Sequence, residues 1–337
     1  MSIAVGWCKG LSSDENKLPE IRREGLIVRG NQKTSKRSKR VGADNKPFSE
    51  TTHLTKEPSH HDKGHRHLIK RKKSHERDTS FFLVMMAKPV IVLVPGAWHP
   101  PSCFSPLTKY LEGHGYTVDG ISLPSVGSTP PPPNFDADVN VVASTVGKHA
   151  DQGAEVILLF HSYGGVPGAS ACKGLSRSDR RAAGKKGGIV HLVYCCAFAL
   201  DEGVCLMDGL GGRPLPWFGI AEDEKTLVAK TPVETFYNDI HDRAVLDGLV
   251  DSLRPHAYGA FWSKSTYAAW KDVASTYVVC ERDAAIPPQA QRAMIAHVNE
   301  ASGGKMREVS MDASHSPFVS RPEELGRIVR EIAGEKV

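Results

Sequence analysis

Three residues whose types can together activate a hydroxyl lie far apart in the chain: Ser162, Asp283 and His315. A serine hydroxyl is a weak nucleophile at neutral pH. It needs a histidine base within hydrogen-bond reach, and that histidine needs a carboxylate to orient it. Each of the three follows a strand-like segment, in the chain order serine, aspartate, histidine. The set therefore predicts a triad in which Ser162 attacks, His315 is the base and Asp283 orients it.

The segment "LLFHSYGGVPG" (158–168) carries the predicted nucleophile. An apolar run followed by a serine and two glycines indicates a tight strand-to-helix turn that lifts the serine above the sheet. The usual pattern is Gly-x-Ser-x-Gly, but Phe160 stands in place of the first glycine. We interpret this as an elbow that needs either a small neighbour opposite Phe160 or a changed turn angle. A Phe160→Gly substitution is predicted to keep or raise activity, and His161 is interpreted as a packing or supporting residue.

Two other acids could orient the base. Asp201 and Glu202 follow the preceding predicted strand, and some proteins with this triad order take the acid from that position. We favour Asp283, in "CERDAAIPP", and keep the other two as alternatives.

The tetrahedral intermediate of acyl transfer needs backbone N–H donors. One predicted donor is the amide of Tyr163, directly after the serine. The other is expected in the turn "VPGAWHPP" (94–101), at Ala97 or at the neighbouring Trp98. No metal and no cofactor is predicted, since the chain shows no Walker loop, no GxGxxG after a strand and no CxxC pair.

The segments around these residues alternate between strand and helix patterns, which predicts an α/β fold with a mostly parallel central sheet and helices on both faces. Residues 201–270 break the alternation, and we expect a helical cap there without strands. Its aromatic side chains, with Trp98, are predicted to form an apolar pocket over the serine. The main predicted pocket residues are Trp98, Trp217, Phe218, Tyr237 and Trp262, with Phe236, Phe261 and Tyr267 as further members. The predicted strands are 89–96, 116–124, 154–160, 188–198, 275–281 and 305–311, and the predicted helices are 105–115, 136–151, 164–175, 287–300 and 321–334.

Residues 1–85 differ from the rest of the chain in charge. They hold 19 Lys and Arg against 10 Asp and Glu, whereas residues 86–337 hold 24 against 28. Little apolar periodicity and many polar residues predict a disordered basic leader before an α/β domain at 86–337. The clusters "KRSKR" and "KRKK" are interpreted as parts of a solvated tail rather than as targeting signals. Because two methionines directly precede the first strand, the leader could also be an extension of the gene model.

The seven cysteines are odd in number and two of them are adjacent, which indicates reduced thiols rather than a disulfide framework. No segment is apolar over the length that a membrane span or a signal peptide needs. We therefore expect a cytoplasmic monomer or homodimer that acts on a small molecule and has no nucleic-acid or membrane partner.

From about Lys88 to the end, the chain resembles the α/β-hydrolase superfamily. "VLVPGAWH" resembles its oxyanion turn, "RDAAIPPQAQRAMI" its acid loop and "HSPFVSRPEEL" its histidine loop. The similar branch contains plant methylesterases, hydroxynitrile lyases and cofactor-free fungal and bacterial serine hydrolases. The resemblance implies hydrolysis of a small or medium apolar carboxylic ester, lactone or thioester.

Two other uses of the same fold remain open. The triad could serve a lyase reaction, C–C cleavage or acyl transfer, or the pocket could belong to a slow or non-catalytic ligand-binding receptor. Hydroxynitrile lyases of this branch carry a lysine directly after the catalytic histidine. Ser316 stands at that position here, which disfavours the lyase.

Overall fold

The computed structural model describes residues 87–337, so the predicted leader lies outside the described residues. Its centre is a six-stranded sheet in the order β2-β1-β3-β4-β8-β9, with every pair parallel. The predicted α/β fold with a parallel central sheet is confirmed. The strands of this sheet are β1 (Val90–Val94), β2 (Val118–Gly120), β3 (Glu155–His161), β4 (Gly188–Cys195), β8 (Ser275–Cys280) and β9 (Met306–Met311).

Helices cover both faces of this sheet. Successive residues of its central strands therefore pack alternately into two apolar clusters, one on each face. Val92 packs in the same cluster as Val142 and Val146, whereas its neighbour Leu93 packs in the other cluster with Leu107. Strands buried on both faces are expected to be apolar throughout, as β1 is. The helices are α1 (Ser105–Gly113), α2 (Asp136–Asp151), α3 (Gly165–Ala171), α4 (Arg177–Ala182), α5 (Leu206–Gly209), α6 (Pro232–Phe236), α7 (Arg243–Ser252), α8 (Tyr258–Phe261), α9 (Pro288–Ser302), α10 (Pro317–Ser320) and α11 (Pro322–Ile332).

The segment 201–270 holds short helices and also a three-stranded antiparallel sheet, β5-β6-β7. The prediction of a cap without strands is therefore wrong. Its strands have three, four and two residues, too few for the apolar alternation that reveals a strand in sequence. These strands are β5 (Phe218–Ile220), β6 (Thr226–Ala229) and β7 (His256–Ala257).

The parallel register brings the loops after four strands to one edge of the sheet. Val94 at the end of β1 pairs with Phe160 near the end of β3, and Cys280 at the end of β8 pairs with Met311 at the end of β9. Open α/β sheets bind their ligands at this carboxyl edge.

The six cysteines among the described residues are all free and buried. None of the helices from residue 87 onward is both long and apolar enough to cross a membrane.

Candidate active site

Ser162 lies in a strained turn between β3 and α3. Its φ is +51°, in the left-handed region that costs a non-glycine residue energy. The two glycines that follow allow the turn to pack closely, because a Cβ on Gly164 would lie 2.4 Å from the carbonyl oxygen of Pro95 and one on Gly165 would lie 2.3 Å from that of Phe198. The predicted strand-turn-helix arrangement is therefore present, with the serine at the edge of the sheet.

Phe160 is accommodated by a small neighbour. Its ring is fully buried and lies against Gly168 on α3, where a Cβ would come 2.5 Å from the Phe160 ring carbon Cε1. Tyr194 contacts the ring from β4, with ring centroids 5.1 Å apart. The sequence allowed either a small neighbour opposite Phe160 or a changed turn angle, and the structure shows the small neighbour.

Asp283 and His315 form a buried hydrogen-bonded pair. His315 Nδ1 donates to Asp283 Oδ2 over 2.7 Å. The same carboxylate accepts bonds from the amides of Ala285 and Ile286, both at 2.8 Å to Oδ1, and from Gln291 Nε2 at 3.1 Å to Oδ2. Because the proton of the neutral imidazole is held on Nδ1, Nε2 is left as its basic atom.

The alternative acids have other partners. His297 Nε2 donates to Asp201 Oδ2 over 2.6 Å, and the amide of Ala268 donates to Glu202 Oε1 over 3.5 Å. The carboxylate that contacts His315 is therefore Asp283, as favoured from the sequence.

Ser162 and His315 line the same partly open cavity, whose empty space is about 340 Å³ when the part open to solvent is included. No hydrogen bond joins their side chains among the described residues; such bonds often tighten only when substrate binds. The remaining lining is apolar apart from Tyr163. The lining residues are Ala97, Trp98, Ser162, Tyr163, Phe198, Leu206, Leu210, Leu215, Trp217, Phe218, Phe236, Phe261, Ala285, Ile286 and His315.

Only some of the aromatic residues predicted for the pocket line this cavity. Trp98, Trp217 and Phe218 line the cavity, but Tyr237 and Trp262 do not. Tyr237 is buried beside the cavity and its hydroxyl donates to His99 Nε2 over 2.9 Å, whereas Trp262 is 45% exposed at the surface. Composition identifies the aromatic side chains of a cap, but the direction of each depends on the local backbone.

The remaining predicted aromatic residues and three unpredicted leucines complete this comparison. Phe236 and Phe261 line the cavity as predicted. Tyr267 lies elsewhere and donates to Asp272 Oδ2 over 2.5 Å. Leu206, Leu210 and Leu215 were not anticipated, because an isolated leucine in a loop gives no signal of a binding role.

The turn after β1 is fixed to the cap by Trp98. This residue has a φ of +67°, and its indole Nε1 donates to the carbonyl of Leu227 on β6 over 2.9 Å. Its own carbonyl accepts from the amide of Arg254 over 2.9 Å. The neighbouring Ala97 amide has no acceptor among the described residues, so it is available to a bound oxygen.

A buried carboxylate accepts a hydrogen bond from the side chain of Tyr163. Its hydroxyl donates to Asp138 Oδ2 over 2.6 Å, and the amide of Ser125 donates to Oδ1 over 2.8 Å. Burial raises the pKa of both the Asp138 carboxyl and the Tyr163 hydroxyl. The Tyr163 amide is the second of the helical turn at 162–164, and the first amides of a helix lack an acceptor within it.

Two groups of metal-ligand types occur near the site, with ligand atoms within 4.8 Å of one another: His161, Cys196 and His315, and Cys195, Cys196 and Cys280. Burial raises the pKa of the Cys196 thiol, which favours its protonated form. Both ring nitrogens of His161 are already bonded to backbone groups. These contacts are those of packed thiols and a structural histidine.

Comparison with known proteins identifies the family of this chain. A sequence model described as the alpha/beta hydrolase family matches residues 91–328. An alpha/beta hydrolase, nvfD, of Aspergillus novofumigatus is 32% identical over 75% of this chain and 99% of its own length. The chain therefore belongs to the alpha/beta hydrolase family.

Two further comparisons concern more distant proteins. Methylesterase 7 of Arabidopsis thaliana is 25% identical over 72% of this chain and 95% of its own length. The crystal structure of a pyrethroid hydrolase from Sphingobium faniae shares the fold, with a TM-score of 0.56 and 21% identity over 73% of this chain and 97% of that one.

Proposed function

We propose that this protein is a serine hydrolase that cleaves carboxylic esters through an acyl-enzyme. Ser162 Oγ attacks the ester carbonyl carbon while His315 Nε2 takes the hydroxyl proton and then gives it to the leaving alkoxide. A water molecule, deprotonated by the same nitrogen, releases the acid and restores Ser162. The observation that carries the proposal is the buried Asp283–His315 pair, whose histidine lines the same cavity as a serine in a strained turn.

The developing oxyanion is bound by backbone amides in this proposal. Ala97 and Tyr163 both line the cavity with Ser162, and their amides belong to the two turns that meet there. Trp98 anchors the first turn to the cap, and we assign it a positioning role and a place in the pocket wall. Donors that are fixed before the reaction stabilise the transition state without reorganisation. The proposed reaction needs no cofactor.

The lining of the cavity supports a small or medium apolar substrate. His315 is the one titratable side chain among the lining residues that can reach the reacting atoms, because the Tyr163 hydroxyl is engaged by Asp138. An ionised group on the bound part of the substrate would lose its hydration here without gaining a counter-charge. The methylesterase and the pyrethroid hydrolase among the similar proteins support ester hydrolysis in general.

Covalent labelling tests the nucleophile. A fluorophosphonate probe is expected to label the wild-type protein and the Ser178→Ala control, which changes an exposed serine, but not Ser162→Ala. Equal labelling of Ser162→Ala and wild type would refute the assignment. A panel of p-nitrophenyl esters, lactones and cyanohydrins then tests the reaction, and turnover of cyanohydrins alone would refute ester hydrolysis.

A further inference from the structure

His161 connects the three loops that carry the proposed chemistry. It directly precedes Ser162, its Nδ1 accepts a hydrogen bond from the amide of Gly96 over 3.2 Å, and its Nε2 donates to the carbonyl of His315 over 2.9 Å. The ring is fully buried. One side chain therefore contacts the turn after β1 and the loop that holds the base, while its backbone leads into the elbow.

The two hydrogen bonds require one ring nitrogen of His161 to accept and the other to donate. The Gly96 amide can only donate and the His315 carbonyl can only accept, so Nδ1 is unprotonated and Nε2 carries the proton. This single neutral tautomer satisfies both neighbours. Desolvation, reinforced by His315 and His99, holds the pKa of His161 well below its usual range, which agrees with a permanently neutral ring.

Close packing fixes the distances between these loops. A Cβ on Gly96 would lie 2.8 Å from His161 Nδ1 and 2.9 Å from Ser162 Cβ, so the backbone of the turn approaches the elbow as closely as glycine allows. The ring also packs on His315, with centroids 4.6 Å apart, and on Phe318, with centroids 4.7 Å apart. A shift of the ring would therefore move both loops.

We propose that His161 is a positioning residue that sets the oxyanion turn and the base loop relative to Ser162. The Gly96 peptide leads directly into the Ala97 amide, so its bond to His161 orients one proposed oxyanion donor. The bond to the His315 carbonyl holds the backbone from which the base projects. This inference rests on the proposed ester hydrolysis. Displacements near 1 Å at a reacting centre can lower rates by about a hundredfold.

Three substitutions separate the two hydrogen bonds. His161→Phe keeps a flat ring and removes both bonds. An asparagine amide reaches the place of Nδ1 and can accept from Gly96, whereas a glutamine amide reaches the place of Nε2 and can donate to the His315 carbonyl. We expect kcat for a p-nitrophenyl ester to fall about a hundredfold in His161→Phe and about tenfold in each amide variant, with KM within threefold of wild type.

A trifluoromethyl ketone provides a second measurement. Ser162 Oγ adds to its carbonyl carbon, the carbonyl π electrons move to the oxygen, and the serine proton passes to His315. Because this adduct resembles the transition state, its affinity is expected to fall in parallel with kcat across the variants. A residue that served only stability would lower the melting temperature without this parallel loss.

The matched control is His191→Phe, a partly buried histidine on β4 that bonds Thr276 Oγ1 over 2.9 Å, away from the cavity. It should retain wild-type kcat. Wild-type kcat in a folded His161→Phe, a change confined to KM, or an equal loss in His191→Phe would overturn the inference. If His161→Phe does not fold, the asparagine and glutamine variants carry the same test. Activity in Ser162→Ala would instead refute the proposed function.

Discussion

The ring of Phe160 occupies the space that the absent side chain of Gly168 leaves on the facing helix, so that a Cβ on Gly168 would come 2.5 Å from ring carbon Cε1. The two positions therefore compensate each other in volume. The tight turn at Ser162 forms although a glycine of the usual pattern is replaced, because Gly168 on the helix that follows the turn leaves room for the ring.

This compensation changes the expected effect of replacing Phe160. Phe160→Gly removes a fully buried ring, and we expect the free energy of unfolding to fall by about 3–5 kcal/mol because a cavity remains. The folded variant is still predicted to hydrolyse ester. Denaturant titration measures the loss of stability, and steady-state kinetics measures the kcat of the folded variant. In a double-mutant cycle, Gly168→Ala should destabilise the protein less in the Phe160→Ala background than in wild type, and strict additivity would contradict the compensation.

Asp283→Asn should lower kcat by about 10³–10⁴-fold, because the amide no longer selects the tautomer with the proton on Nδ1 of His315. Asp201→Asn is the matched control, since this carboxylate bonds His297 instead. The kcat of Asp201→Asn should stay within a few-fold of the wild-type value. Steady-state kinetics on one p-nitrophenyl ester measures both, and a greater loss in Asp201→Asn would transfer the role of the acid to Asp201.

We expect His256 to make the protein less stable in acid. It is fully buried against Tyr163 and Phe261, and neither ring nitrogen has a hydrogen-bond partner in the part of the chain that the structure describes. Burial lowers its pKa to about 3. Between pH 6.5 and that value, the unfolded chain binds a proton that the native state does not, so the free energy of unfolding falls as the pH falls.

The measurable consequence is a change of about 2 kcal/mol per such histidine between pH 7 and pH 5. His256→Leu should gain this amount relative to wild type on going from pH 7 to pH 5, as measured by urea unfolding. His241→Leu changes an exposed histidine, and its free energy of unfolding should follow that of the wild type over the same pH range. An identical pH dependence in His256→Leu and wild type would show that His256 is not kept neutral by burial.

Trp217→Ala should enlarge the cavity and shift the preference toward longer or bulkier acyl groups. The ring lines the cavity and contacts Phe218 and Trp98, with centroids 4.6 Å and 5.5 Å away. Trp262→Ala is the control because this ring lies at the surface, outside the cavity. The ratio of kcat/KM for hexanoate and acetate p-nitrophenyl esters should rise only in Trp217→Ala. A rise in Trp262→Ala instead would place the substrate elsewhere.

The strands of the main sheet and the order of the candidate residues were predictable from sequence because they depend on local patterns. Buried parallel strands such as β1 are continuous apolar runs, and Ser162 and Asp283 each follow one, whereas His315 follows the more polar edge strand β9. The cap sheet escaped prediction because strands of two to four residues carry too little periodicity. Tyr237 and Trp262 were misplaced because side-chain direction in a cap depends on turns that composition does not specify.

The order of strand segments and polar loops in the sequence is enough to predict the class of fold and the sheet edge that carries the candidate residues, and it favours Asp283 as the partner of His315. Long-range packing, by contrast, brings Gly168 against Phe160, joins His161 to both Gly96 and His315, and selects the aromatic rings that line the cavity. These contacts join residues distant in sequence and depend on side-chain direction and close packing, which no pattern of neighbouring residues specifies.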